Sequence, residues 1–327
     1  MLDRVGPALC LASAVFFGAM PIFGRFAYEA GVTPGALLLI RFSLAAALLL
    51  VLLLVRPRLR RIERVPDVQG RSRFSRGGTV LLAFGLGAVA YAAQAGLYFS
   101  ALQRLDASML SLILYTYPVM VTVVAVLLGR DRLNRWRGLA LVAACGGIVL
   151  VLLGTGSMHL QPLGALLAFG SAVVYTSYIL VSDTVVHRLA PVTLAALVMT
   201  GAATTLGVEA ILTGVDLSFG WRGWFWVACI AVVSTVLATL AFFAGLRRTG
   251  ASTASILSTL EPVVTTTLAA LTLGESLSSI QIFGGILVLS SAVILQIRST
   301  RAARSTPTVD RSPDPELAVG EPVSSAA

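Results

Sequence analysis

Glu261 sits in the stretch "STLEPVVTTTL", directly before Pro262, inside a run from Ala251 to Leu273 that is otherwise apolar, small or hydroxylic. A charged side chain at the centre of a bilayer costs roughly 2.5 to 3.5 kcal/mol on insertion scales, and a proline removes a helical hydrogen bond. Both costs fall on adjacent residues. A carboxyl in such a place is suited to taking up a proton or a cationic group in one state and releasing it in another. The plainer alternative is a hydrogen-bonded Glu held by Ser258, Thr259 or the kinked backbone. Arg41, in "LLLIRFSLAAALLL", is a second charge within an apolar run. It either binds a substrate carboxylate or pairs with a helix, or else it snorkels to the headgroups and positions span two. Around these charges the sequence offers polar aromatic groups. Tyr91, Gln94 and Tyr98 are spaced to share one helical face, Tyr115 and Tyr117 precede Pro118, and Tyr175 and Tyr178 follow Gly170 and Ser171. A tyrosine hydroxyl away from the interface needs a partner, which an aqueous cavity or a neighbouring helix supplies.

Reaction chemistry is not indicated. His159 and His187 fall in separate connections, and the chain has no HExxH, GxSxG or P-loop. Cys10, Cys145 and Cys229 lie in apolar runs without metal-ligand spacing and read as small packing residues. The expectation is a protein that is not an enzyme and uses no cofactor or metal.

The elements that must position these residues are membrane helices. The chain is 57% hydrophobic and only 12% charged, against about 25% charged in soluble domains. Apolar runs long enough to cross about 30 Å of hydrocarbon recur at residues 7–27, 34–55, 78–101, 106–128, 138–155, 162–182, 192–213, 224–246, 250–273 and 280–297, ten spans in all. All 24 basic residues are arginine. With the N-terminus in the cytoplasm, twenty of them fall on the cytoplasmic side, chiefly in the link 56–77, around 130–137 and after Arg298. Arg25, Arg104 and Arg222 fall outside, and Arg41 lies within a span. The basic surplus is therefore a topology signal and a contact for membrane lipids rather than for nucleic acid. Both termini are expected in the cytoplasm of a multi-pass protein of the cell inner membrane. The Pro-, Ser- and charge-rich segment 298–327 is expected to be a disordered tail.

The ten spans divide into two. Shifting residues 97–133 by 144 positions lays Phe99, Leu102, Arg104, Ala107, Ser108, Ser111, Pro118, Val119, Thr122, Ala125, Leu127 and Leu133 on identical residues, and Asp131 on Glu275. Residues 7–155 and 162–297 are thus two five-span repeats. An odd number of spans per repeat makes them enter the membrane from opposite faces, the plan of secondary transporters whose substrate site lies near the midplane. Pro118 and Pro262 are counterparts in this scheme, each about 12 residues into its span and so roughly 18 Å deep. Each proline frees a carbonyl one turn earlier, on Leu114 and Ser258.

The segments "RRTGASTASILSTLEPVVTTTLAALTLGESLSSIQIFGGILVL" and "LDASMLSLILYTYPVMVTVVAVLLGRDRL", with "LLLIRFSLAAALLL" in span two, resemble EamA-type members of the drug/metabolite transporter superfamily. These are ten-helix proteins built from two five-helix repeats. The resemblance covers nearly all of residues 7–297, and "LEPV" followed by "LGE" is its most specific part. It implies an all-α polytopic membrane protein of ten transmembrane helices in two inverted repeats. It also implies transport of small metabolites, amino acids or drugs. The combined expectation is an exporter working by alternating access with protons as coupling ion, or else a facilitative carrier or channel-like pore without coupling. The substrate-binding residues expected are Arg41, Tyr91, Gln94, Tyr98, Tyr115, Tyr117, Tyr175 and Tyr178, with Glu261 for coupling and helix kinks at Pro118 and Pro262. Phosphorylated substrates are disfavoured, because spans nine and ten hold no basic residue between Arg248 and Arg298. Trp221, Trp224 and Trp226 read as an interfacial aromatic belt and Glu209 as an interfacial carboxylate. Asp131 and Glu275 read as solvated helix caps, and Gly146, Gly147, Gly284 and Gly285 as close helix contacts.

Overall fold

Long runs of Leu, Ala, Val and Ile in a solvent that offers no hydrogen bonds leave the backbone one economical choice, the helix, which satisfies its polar groups within the segment. The computed structural model describes residues 5–60, 76–127, 135–153, 161–182, 185, 189–249, 257–258 and 260–304, and every regular element among them is helical. In order these are α1 (Val5–Gly18), α2 (Met20–Glu29), α3 (Pro34–Val55), α4 (Arg76–Gly85), α5 (Ala92–Leu102), α6 (Ala107–Leu114), α7 (Tyr117–Leu127) and α8 (Arg135–Leu153). They continue as α9 (Pro162–Ser182), α10 (Pro191–Thr213), α11 (Trp221–Ala231), α12 (Ala238–Thr249), α13 (Leu260–Leu273) and α14 (Ser279–Arg304). A π-helical turn at Leu86–Tyr91 joins α4 to α5, and another at Val232–Leu237 joins α11 to α12.

Among the described residues, six stretches are long and apolar enough to cross a membrane: Val5–Glu29, Pro34–Val55, Gly77–Leu102, Pro162–Ser182, Pro191–Thr213 and Trp221–Phe242. Ala107–Val121, Leu260–Leu273 and Ser279–Ser291 are shorter apolar helices. The shortfall against the ten apolar runs has a local cause where the chain is interrupted. Between α6 and α7 a turn forms at Tyr115–Thr116, just before Pro118, and the Thr116 carbonyl accepts from both Val119 N (3.1 Å) and Met120 N (3.2 Å). A lesser break separates α1 from α2 at Ala19, with Pro21 in the first turn of α2. At the other end of the chain α14 continues as helix to Arg304, beyond the point where the composition placed the start of a disordered tail. No proline or glycine occurs between Arg298 and Arg304 to stop it. Asp131, the termini and most of the arginine-rich link lie outside the described residues.

Packing runs across the two halves of the sequence. α1 lies on α12, α5 on α9, α3 on α10, α8 on α14 and α6 on α13. The buried side chains include Phe42, Leu49, Phe99, Leu110 and Ile230 with Ser13, Ser171, Ser234, Thr235 and Thr265, while Leu54, Leu81, Ile211, Leu212 and Leu271 are exposed. Small polar residues mixed into the interior and large apolar ones left outside is the arrangement a lipid solvent favours, since helices there associate by close contact and hydrogen bonding. Close contact is plainest where α8 meets α14: a Cβ on Gly147 would stand 2.6 Å from the Gly284 carbonyl, and one on Gly284 equally close to the Gly147 carbonyl. Gly285 faces Leu112, but a Cβ on Gly146 would meet nothing within 4 Å, so Gly146 is not a helix contact. The register of α8 turns Gly147 to its partner and Gly146 away.

Four connections gather on one face. The side of Gly223 faces Val32, and the Arg25 guanidinium donates to the Leu105 carbonyl (2.6 Å). Glu275 reaches Ala107 there as well. This face therefore carries the turns near residues 30–33, 103–106, 214–220 and 274–278. It is the face expected outside if the N-terminus lies in the cytoplasm.

Candidate functional site

The π turns set the depth and rotation of two groups of polar residues. In the second turn, the Thr235 hydroxyl donates to Ile230 O (2.9 Å), five residues back, and accepts from Arg41 Nε (2.8 Å). Arg41 is 3% exposed, so its guanidinium stays in the interior instead of snorkelling to the headgroups. It packs over the rings of Phe42 (4.9 Å) and Phe99 (5.5 Å), with the Tyr91 and Tyr98 side chains beside it. Cation–π contact and hydroxyl dipoles are its company. Among the described residues no carboxylate lies within ion-pair distance of it.

From Arg41 a chain of aromatic contacts leads across the interior. Phe42 meets Tyr91 edge-on (5.4 Å between ring centroids), and Tyr91 meets Tyr178 (5.3 Å). Tyr178 stacks on Tyr175 (5.9 Å), Tyr175 meets Tyr117 (4.8 Å), and Tyr117 meets Tyr115 (5.6 Å). The Tyr115 hydroxyl ends the chain, 2.6 Å from the Ser258 carbonyl and 3.0 Å from Glu261 Oε2. The Ser258 carbonyl is the one that Pro262 leaves without a helical partner, and a hydroxyl from the other half of the sequence takes it up. Edge and offset ring contacts at these distances are each worth about 0.5–1.5 kcal/mol beyond burial, so the rings themselves hold the five tyrosines in place. The hydroxyls of Tyr98, Tyr117 and Tyr175 find no hydrogen-bond partner among the described residues. They are available to something else.

Gln94 behaves differently. Its Nε2 donates to Ser171 Oγ (3.0 Å), and that hydroxyl is 3.2 Å from the Gln94 carbonyl, so the pair joins α5 to α9 as a structural clasp. Thr265 in α13 donates to Gly18 O (2.9 Å) at the break between α1 and α2. Sequence reasoning did not find this contact, nor Thr235, because nothing in the local pattern marks which hydroxyl on an apolar helix turns inward. Glu275 is not a solvated cap of its own helix end; it is half-buried and caps α6 from far along the chain, accepting from Ala107 N (2.9 Å), Ser108 N (3.0 Å) and Ser108 Oγ (2.8 Å). Glu209 is exposed, as are Trp221 and Trp224, whereas Trp226 turns inward onto Phe26 (4.7 Å) and Phe23 (5.8 Å).

Apolar helices with a lipid-type exterior, packed around an interior that contains a buried arginine, a glutamate and a run of tyrosine rings, describe a polytopic membrane protein. The chain belongs to the EamA-like transporter family, whose model matches it twice, over residues 4–153 and 162–297. It is similar to the "Uncharacterized transporter YcbK" of Bacillus subtilis (strain 168), 29% identical over 292 residues, covering 85% of this chain and 88% of that protein. It is also similar to an "Uncharacterized transporter" of Archaeoglobus fulgidus, 27% identical over 198 residues, covering 60% of this chain and 70% of that one. A solved crystal structure shares the fold with a TM-score of 0.62 at 17% identity, over 91% of this chain and 98% of the other.

Proposed function

We propose that this protein is a secondary transporter of small metabolites, an exporter in the cell inner membrane that works by alternating access and is coupled to protons. Arg41 and the tyrosines receive the substrate, and Glu261 exchanges a proton. The observation that carries this reading is the run of tyrosine rings from Tyr91 to Tyr115, which starts beside the buried Arg41 and ends on Glu261. Hydroxyls left unused by the protein along that run supply donors and acceptors to a polar solute, and the Arg41 charge and the Glu261 carboxyl at its two ends orient it.

The alternating-access part rests on two inverted five-span repeats. Two matches of one family model to successive halves of the chain support a duplication. The helix pairing supports it too: exchanging halves turns the α1–α12 contact into the α9–α5 contact and returns α3–α10, α8–α14 and α6–α13 to themselves. The two π turns begin at Leu86 and Val232, nearly the same spacing as the 144-residue repeat. Two similar half-folds of opposite orientation give two similar states, one open to each side.

A facilitative carrier or pore is the second reading, and the Tyr115 hydroxyl on Glu261 favours it, since a carboxyl already satisfied by its neighbours has no need to exchange a proton. Glu261→Gln separates the two. In proteoliposomes the variant is expected to keep substrate counterflow and lose accumulation driven by a pH gradient. Full gradient-driven accumulation by the Gln variant would make Glu261 a structural residue and the protein a facilitator. Absence of trans-stimulation in the parent would remove the carrier reading altogether.

A further inference from the structure

Of the paired motifs "LEPV" and "LGE", the second, at Leu273–Glu275, has no place in the substrate path described above. Its local geometry is defined. Gly274 ends α13 at φ +67°, a conformation that side chains with a Cβ rarely adopt, and the Glu275 N–H turns back to the Ala269 carbonyl (3.3 Å). The turn sends the carboxylate sideways onto the first residues of α6, in the other half of the sequence. There Oε1 accepts from Ala107 N (2.9 Å), and Oε2 accepts from Ser108 N (3.0 Å) and from the Ser108 hydroxyl (2.8 Å).

The start of α6 is arranged to receive it. Asp106 occupies the N-cap position, where an aspartate ordinarily satisfies the free N–H groups of its own helix, yet its side chain makes no capping bond. It lies instead 3.7 Å from Arg25 of α2, whose guanidinium also donates to Leu105 O (2.6 Å). With the resident aspartate held aside, the unpaired N–H groups and the positive end of the α6 dipole are met by a carboxylate from a different repeat. Charge-assisted bonds of this kind are roughly twice as strong as neutral ones. They depend wholly on the approach of two turns on one face of the molecule, 103–106 and 274–278. Any motion that opens that face between α6 and α13 must break all three together.

We propose that Glu275 is the latch of the outer gate: its three bonds to Ala107 and Ser108 hold closed the face that carries the 103–106 and 274–278 turns, and their release is the step that opens it. The proposal rests on the alternating-access reading, and its test needs no substrate, so a failed transport assay and a failed latch are separate results.

The test is a distance measurement between spin labels at Gln103→Cys and Ser276→Cys, both exposed positions, in full-length protein in lipid nanodiscs with Cys10, Cys145 and Cys229 replaced. The parent is expected to give one dominant short distance. Glu275→Gln, which keeps the shape and removes the charge, is expected to raise a longer-distance population about tenfold. Ser108→Ala leaves both backbone bonds in place, so it should fold even if the Gln variant does not, and is expected to raise the same population less. Distance distributions in both variants identical to the parent's would overturn the latch, including the case in which melting temperature falls, because a merely stabilising cap lowers stability without opening the face.

Discussion

Tyr115 and Tyr117 are next-but-one neighbours in the chain and do opposite jobs. The Tyr115 hydroxyl is committed to the Ser258 carbonyl and Glu261, whereas that of Tyr117 has no partner among the described residues. Tyr115→Phe removes two bonds, to the half-buried Ser258 carbonyl and to the Glu261 carboxyl, so it should destabilise the protein by about 1–3 kcal/mol. Tyr117→Phe should change stability by no more than about 0.5 kcal/mol. A fluorescence-detected melting curve in detergent measures both. The contrast matters for function, because a transport defect in the Tyr117 variant then reports a lost contact with the solute rather than a loosened fold. Equal melting shifts in the two variants would mean that the Tyr117 hydroxyl is also a structural bond.

At the scale of elements, the interhelical glycines and the helix interruptions divide the molecule into tight and yielding parts. α8 and α14 meet backbone to backbone at Gly147 and Gly284, where an added Cβ would stand 2.6 Å from a carbonyl oxygen that cannot swing aside. Gly147→Ala is expected to cost about 1–3 kcal/mol by overpacking. Gly146→Ala, one residue away on an open face, should be neutral or slightly stabilising, since alanine is the better helix former. Monodispersity by size-exclusion chromatography with a thermal ramp distinguishes them, and a neutral Gly147 variant would show that the two helices can separate at little cost. The interruptions lie elsewhere, at Ala19, at Tyr115–Thr116 and in the π turns 86–91 and 232–237. Three of these four border the tyrosine path or Arg41, which fits the general tendency of π turns and proline breaks to occur where a helix carries function.

For the whole molecule, the central expectation is orientation. Twenty of the 24 arginines lie on the side given to the cytoplasm if the N-terminus starts there and ten spans follow. A reporter enzyme active only outside the cytoplasm, fused after Arg304, should therefore give no activity, and one fused in the 214–220 turn should be active. Activity after Arg304 would require an odd number of spans and would remove the inverted repeat together with the gate assignment. The same sidedness places the Glu275 contact outside, so the topology assay also decides which compartment the latch answers to.

Much of this organisation was legible in the sequence because it depends on properties that do not need a partner. Hydropathy marks the apolar helices without knowledge of packing, and the arginine count and the 144-residue self-similarity set the expectations of sidedness and duplication that the reporter fusions test. Residue chemistry was legible to the same degree: Glu261, Arg41 and the tyrosines are unusual wherever they point. What they point at was decided only in the folded chain. Gln94 became a clasp on Ser171, Arg41 turned inward to Thr235, and Glu275 left its own turn to cap Ala107, 168 residues away in sequence. The rotation of one helix about its axis relative to another is set by contacts between distant segments. A π turn changes that rotation by inserting a residue, with no signature in a run of Leu, Ala, Val and Thr.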